Sequence, residues 1–400
     1  MTNNLPVYPP VEHEDLSMDR VYWDLQQKGP YKAQMSLGEP IWIATRYEDV
    51  KTVYGDRRFG KSRGYGRDTP RLHGMALGGD TSRLDNMDPP VHTRVRRLAS
   101  TAFAPQQIRS MKGWIETMTS ELLDDVAKAG PGVDFIERFA WQLPLRVITG
   151  ILGAPEDDIP KLKASVDELT GPASTLEQKM AAYSSMKDYV RGLITARRAV
   201  PTDDLLCILV QAQEDDDRFT DDELVNLAMA LFLGGFETTA AQIGNVVWTL
   251  MSRRELWQEL LDDPDLVPNA MEELWRWVPS FRHGQPMIRW ADEDVELSDG
   301  VVIPVGDPVL PEHMVANRDE TVFENAWNID FHRKDPAPHL SLAWGAHRCM
   351  GARLAGLEIE SALRALVARF PTLDLAVSPE DVEWSHASFL RSASALPITW

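Results

Sequence analysis

The run from Leu224 to Ser252 constrains this chain more than any other stretch, because it holds a single charged residue, Glu237. Thr220-Asp221-Asp222-Glu223 precedes it with the pattern of a capping box, so the run reads as one long helix. Its length and apolarity would suit a membrane span. Against that, Asn226, Glu237, Gln242 and Asn245 are spread along it, and no cationic flanks frame it. An all-round apolar helix outside a membrane is a buried one, so the expected fold is organised around a central buried helix.

Within that helix lies Gly234-Gly235-Phe236-Glu237-Thr238-Thr239. Two adjacent glycines in a helix interior cost about 1 kcal/mol each relative to alanine. They suit a place where something lies against the backbone or where the helix is bulged. A buried Glu237 needs a hydrogen bond or a titration to be tolerated. The plainer alternative is a glycine pair that serves packing beside a satisfied core glutamate.

The chain has two cysteines, Cys207 and Cys349, which makes a disulfide framework unlikely and a reducing, cytosolic setting the default. Cys349 sits in His339-Leu340-Ser341-Leu342-Ala343-Trp344-Gly345-Ala346-His347-Arg348-Cys349-Met350-Gly351. Leu354, Ile359, Leu363, Leu366, Val367 and Phe370 follow at helical spacing. A cysteine on a glycine-bearing loop at a helix N-terminus, beside His347 and Arg348, favours the thiolate. That thiolate is either a nucleophile or a metal ligand; a small buried hydrophobe is the common fate of a lone cysteine.

Two further spacings stand out. His92 and Arg96, after Asp88-Pro89-Pro90, share one helix face as a cationic pair suited to carboxylates, or as a solvated basic face. Glu273 and Arg276 stand at i and i+3, a weak pair if exposed.

Four hundred residues with a formal net charge of -20 argue against general nucleic-acid binding. The N-terminus shows neither a basic nor an apolar leader segment. Residues 22–27 and 47–54 read as short helices, and 31–37 with 41–45 as a hairpin. Residues 60–87 read as a long glycine-broken loop, functional or merely mobile. Residues 105–200 read as several helices, broken at 170–174. Segments 278–291, 295–302 and 309–316 read as strands, and 389–398 as a hairpin.

Taken in order, these features resemble the cytochrome P450 family over nearly the whole chain. Gly345, His347, Cys349 and Gly351 match its haem loop, while Leu342 and Ala343 stand where Phe and Gly are usual. Gly234 to Thr239 is similar to its oxygen-activating motif, and Glu273-x-x-Arg276 with Arg333 to its buried triad. The resemblance implies a mainly α fold with small β-sheets, one domain over 1–400, with a long buried helix over haem b (iron protoporphyrin IX). It implies Cys349 as the iron ligand, and His92, Arg96, Arg289, His347 and Gly351 at the cofactor. Thr238 and Glu237 would be catalytic, and Glu273, Arg276 and Arg333 structural.

The activity implied is a haem-thiolate monooxygenase that hydroxylates or epoxidises a natural product. The alternatives are oxidative C–C or C–N coupling of aromatic or indole-bearing substrates such as cyclic dipeptides, and a non-catalytic haem-binding or substrate-presenting protein. A peroxide-driven enzyme fits less well, since the Glu237-Thr238 pair is intact. Arg63, Tyr65, Met229, Phe232, Gly235, Ser280, Gln285 and Phe389 are the candidate substrate residues. No flavin or iron–sulfur segment is present, so electrons would come from a ferredoxin or flavodoxin with an NAD(P)H-dependent reductase. Arg94, Arg97, Arg348 and Arg353 would receive that partner. Neither nucleic acid nor membrane is an expected partner, and the expected location is cytoplasmic.

Overall fold

In a computed structural model of the chain, which describes residues 5–72, 81–170, 174–214, 220–283, 287–334, 338–385 and 390–400, the apolar run is the helix Asp221–Met251. Its capping box is formed as the sequence requires. Glu223 N donates to Thr220 Oγ1 at 3.1 Å, and Thr220 N donates to Glu223 Oε2 at 2.9 Å. Asp221, Asp222 and Glu223 place negative charge on its first turn, where the helix dipole favours it. The chain divides into two compact units.

One unit comprises Ser82–Leu84, His92–Met271 and Met350–Trp400. The central helix packs here against the helices Gln142–Ile151 and Leu176–Ala199. Phe236 meets Trp141 edge-on at 4.7 Å, Trp248 meets Trp384 at 5.2 Å, and Asn245 Nδ2 donates to Arg391 O at 2.7 Å. The helix is long and apolar enough to cross a membrane by composition. Its residues from Thr239 to Met251 are instead buried in the protein. The helix Ala352–Arg369 begins three residues after Cys349. Val133–Asp134, Pro397–Thr399 and Asp374–Leu375 form a small antiparallel sheet.

The other unit comprises Met1–Thr81, Asp85–Val91 and Glu272–Cys349. Its five-stranded sheet has the order Tyr31–Ala33, Ile41–Ala44, Pro308–Pro311, Arg289–Ala291, Phe59–Gly60. The first two strands are the expected hairpin, with Tyr31 opposite Ile43. Ile41–Ala44 runs parallel to Pro308–Pro311. Two apolar clusters flank the sheet, one around Tyr47, Val50, Phe323 and Leu340, the other around Tyr8, Tyr22, Ile43 and Trp290.

Several expected elements differ. Within the described part of 278–291, only Arg289–Ala291 is a strand. Segment 309–316 is a strand only to Pro311, and His313–Ala316 turns into a short helix. Segment 295–302 is broken at Ser298–Gly300, where Asp299 and Gly300 take positive φ. The 170–174 break, the centre of the 60–87 loop and the tip of the 389–398 hairpin lie partly outside the described residues.

Candidate functional site

The central helix is not covered all round. Between Leu224 and Met251, only Ala230, Leu233, Gly234, Gly235, Glu237 and Thr238 are not buried. Positions 230, 233, 234, 237 and 238 recur at helical spacing, so they form one stripe on one face. A Cβ at Gly234 would meet open space, whereas one at Gly235 would lie 3.1 Å from Ile148 Cδ1. The two glycines therefore do different work: Gly235 admits a neighbouring helix, and Gly234 lowers the uncovered face. The helix stays α-helical across the pair rather than bulging.

Glu237, expected to be buried, is half-exposed, since the stripe it shares is left uncovered by the described residues. Thr238 Oγ1 donates to Gly234 O at 2.6 Å, which spends its only hydrogen and leaves its lone pairs as acceptors. Met229 and Phe232 are both buried and line a small apolar cavity with Leu162, Met186 and Val190. On the helix Val91–Ala102, His92 is buried and Arg96 half-buried. Arg94 is ion-paired to Glu223, with a 3.2 Å contact to Oε2, so its charge is already engaged.

The cysteine loop belongs to the other unit. Cys349 is exposed, and its N–H donates to Leu342 O at 2.8 Å. Gly345–His347 forms one 3₁₀ turn. Ala343 and Gly345 both have positive φ, 56° and 67°. Ala343 occupies the position where glycine is usual, and the backbone keeps the glycine-type conformation there. Lys51 Nζ lies 5.4 Å from the centre of the Trp344 ring, which packs beside Gly55.

Beneath this loop's start lies the triad. Arg276 donates to both Glu273 oxygens at 2.7 and 2.6 Å, and Arg333 to the same two at 3.1 and 3.2 Å. Arg276 also donates to the carbonyls of Asn317, Ala326 and Asn328. The structure thus brings these three residues together, buried and hydrogen-bonded to one another. Sequence reasoning missed what joins them to the loop. Asn317 Oδ1 accepts from Leu340 N at 2.7 Å, its Nδ2 donates to Ser341 Oγ at 2.8 Å, and Ser341 Oγ donates to Trp275 O. No local spacing around Ala316-Asn317-Arg318-Asp319 singles Asn317 out for this contact.

Arg289 is 2% exposed, and Nη1 donates to Met287 O at 2.8 Å and Ile288 O at 3.2 Å. Among the described residues it makes no ion pair. Burial lowers its pKa to about 10, against the opposing pull of Tyr54 and Asp88, so it stays charged at neutral pH. Of the other candidates in this unit, Arg63 is ion-paired to Asp292 at 2.8 Å, Tyr65 is exposed and Ser280 half-buried. His347 is half-buried and Arg348 exposed. Gln285 and Phe389 lie outside the described residues.

A long buried helix with one bare face, in a chain with an exposed loop cysteine and a buried Glu-Arg-Arg triad, defines a class that comparison with known proteins identifies. The cytochrome P450 family model matches residues 172–268 and 265–394. The chain is 39% identical to the mycinamicin IV hydroxylase/epoxidase of Micromonospora griseorubida, over all of both chains. It is also 39% identical to the nocardicin C N-oxygenase of Nocardia uniformis subsp. tsuyamanensis, over 100% of this chain and 99% of that one. Its fold is similar to the structure of the mixed-function P450 MycG, with a TM-score of 0.93 and 38% identity, covering 99% of this chain and 100% of that one. A cytochrome P450 with biaryl coupling reactivity matches with a TM-score of 0.90 and 37% identity, over 98% and 99%. The chain belongs to the cytochrome P450 family. It is a haem-thiolate monooxygenase of secondary-metabolite biosynthesis, with a small-molecule substrate and an external redox partner.

Proposed function

We propose that Cys349 ligates the iron of haem b, and that His92, Arg96, Arg289 and His347 face its propionates. The observation that carries this reading is the bare stripe of the central helix. On an otherwise buried apolar helix, Gly234 is exposed with open space beside it and Ala230 and Leu233 are only half-buried, a face that suits an apolar group lying against the backbone. Arg289 adds the matching electrostatic need: a buried guanidinium whose hydrogen-bond acceptors among the described residues are carbonyls suits a carboxylate.

A thiolate-ligated haem supplies dioxygen activation and O–O cleavage. The chain's own contribution is to move protons on the bare face. Thr238 Oγ1, its hydrogen committed to Gly234 O, accepts a hydrogen bond from a protonated oxygen nearby. Glu237, one residue earlier and half-exposed, exchanges protons with water through its carboxylate. Glu273, Arg276 and Arg333 hold the fold under the loop and take no part in chemistry. We read both compact units as one functional domain over 1–400.

The substrate we infer is a natural product of the macrolide or peptide-derived kind, hydroxylated or epoxidised, since the named relatives include a macrolide hydroxylase/epoxidase and an N-oxygenase. Oxidative ring coupling is the second reading, favoured by the similarity to a P450 with biaryl coupling reactivity. Electrons come from a cytoplasmic ferredoxin or flavodoxin and its NAD(P)H-dependent reductase, with Arg97, Arg348 and Arg353 as the exposed cations that receive it. Salt-insensitive reduction would count against that docking mode.

The deciding experiment is the carbon monoxide spectrum of the reduced protein. A Soret band at the thiolate-ligated position supports the assignment, and its loss in Cys349→Ser is expected. A chain that stays colourless after haem supplementation rules it out.

A further inference from the structure

The strand Arg289–Ala291 pairs antiparallel with Phe59–Gly60, and Gly60 stands opposite Trp290, the neighbour of Arg289. A side chain at Gly60 would have no room: a Cβ there would lie 2.8 Å from Asp88 Oδ2 and 3.0 Å from Asp292 Oδ2. Two carboxylates therefore come down onto this end of the sheet. Asp292 is ion-paired to Arg63 at 2.8 Å. Asp88 makes no ion pair among the described residues.

Main-chain donors hold Asp88 instead. Lys61 N donates to its Oδ1 at 2.9 Å and its Oδ2 at 3.0 Å, and Ser62 N donates to Oδ2 at 2.7 Å. Neutral N–H groups fix a carboxylate in place without cancelling its charge. Beside it, the buried Arg289 guanidinium stands 5.3 Å from the centre of the Tyr54 ring. Its hydrogen bonds among the described residues all come from Nη1, so Nε and Nη2 are uncommitted. Asp88 pulls on this guanidinium and favours its charged form against burial, yet does not pair with it.

We propose that Asp88 is a positioning residue, a stand-off counter-ion fixed by the Lys61 and Ser62 N–H groups, which steadies the Arg289 charge from outside pairing distance and leaves Nε and Nη2 for the haem carboxylate. The inference rests on the reading that Arg289 faces that carboxylate. A carboxylate in direct contact would fill the guanidinium fork and shut the haem group out. At a stand-off, Asp88 supports the buried cation in the fold and weakly repels the haem carboxylate that shares it.

The test uses the haem-loaded full chain with Asp88→Asn, Asp88→Ser and Arg289→Gln, each checked for parental helix content. Asp88→Asn keeps an oxygen for the two N–H groups and removes the charge. Asp88→Ser, a smaller neutral acceptor, is read in its place if the amide variant does not load haem. The readouts are the rate of haem transfer to excess scavenging apoprotein and the reduction potential of the bound haem. With the carboxylate charge gone, transfer slows about threefold, and the potential rises because reduction adds negative charge to the haem. A merely structural Asp88 would do the opposite and speed transfer. Faster or unchanged transfer, a potential that does not rise, or failure of both variants to load haem overturns the proposal. Arg289→Gln should speed haem transfer; if it does not, the reading of Arg289 fails and the inference with it. Faster transfer in Arg289→Gln together with faster or unchanged transfer in Asp88→Asn sinks the role of Asp88 alone.

Discussion

Gly345 rests directly on the carbonyl of Tyr54: a Cβ there would sit 2.6 Å from that oxygen and 2.9 Å from Gly55 Cα, at a φ of +67°. The cysteine loop is therefore seated on the end of the helix Tyr47–Gly55 by backbone contact. Neither backbone can shift cheaply. Gly345→Ala should cost about 2–3 kcal/mol in urea unfolding and loosen the haem. Gly351→Ala, where a Cβ meets nothing within 4 Å, should cost less than about 1 kcal/mol. Equal losses in the two variants would contradict the seating.

Ala343 offers the opposite change. At a φ of 56° it holds a left-handed conformation that an L side chain occupies at a cost. Ala343→Gly should raise stability by about 1 kcal/mol, read as a higher urea midpoint at unchanged slope. Leu342→Phe, which restores the usual aromatic residue nearby, should instead shift the haem reduction potential. An unmoved potential would mean that Trp344 and its packing already shield the sulfur.

The triad sets a third expectation. Glu273 receives four side-chain hydrogen bonds from two arginines and one from Asp330 N at 2.9 Å. Glu273→Ala leaves two cations buried without their carboxylate and should cost about 3–5 kcal/mol, seen as loss of soluble, haem-loaded chain. Arg333→Ala, which spares the Arg276 pair, should be milder.

Acid should act through His313. Its folded pKa near 4 lies below the unfolded value of about 6.5, because burial disfavours the charged ring against the pull of Glu312. Between these values the unfolded chain binds more protons. Stability is therefore full above about pH 6.5 and falls on acidification, by about 3 kcal/mol at pH 4. Glu312 adds a separate loss at lower pH: burial opposes its ionisation, but His283 outweighs that and holds it below the usual range. In His313→Asn the slope of urea midpoint against pH between 6.5 and 4 should flatten. An unchanged slope would place the acid sensitivity elsewhere.

Thr238→Ala removes the acceptor oxygen on the bare stripe. Product formed per NAD(P)H should fall roughly tenfold while NAD(P)H oxidation continues, with the excess recovered as peroxide or water. Product per NAD(P)H equal to the parent's would remove Thr238 from proton handling.

Much of this was legible in the chain itself. The capping box at Thr220 and Glu223 and the apolar run after it specify the central helix by local rules of capping and hydrophobicity. The spacing of Glu273 and Arg276 anticipated their pairing, because the two residues lie close together in the chain. The strand readings over 278–291 and 309–316 held only at Arg289–Ala291 and as far as Pro311, where contacts with neighbouring segments overrode local pattern. What only the tertiary structure decided is which faces are covered. It buried Met229 and Phe232 at a small apolar cavity and left Glu237 and Thr238 half-buried on the stripe. It also joined Tyr8, Tyr22, His283 and Glu312 in one buried group, and Tyr54 with Arg289 and His313, residues with no shared spacing. Periodicity records what a residue's own helix or strand requires; burial and charge pairing depend on partners hundreds of positions away, which no local pattern encodes.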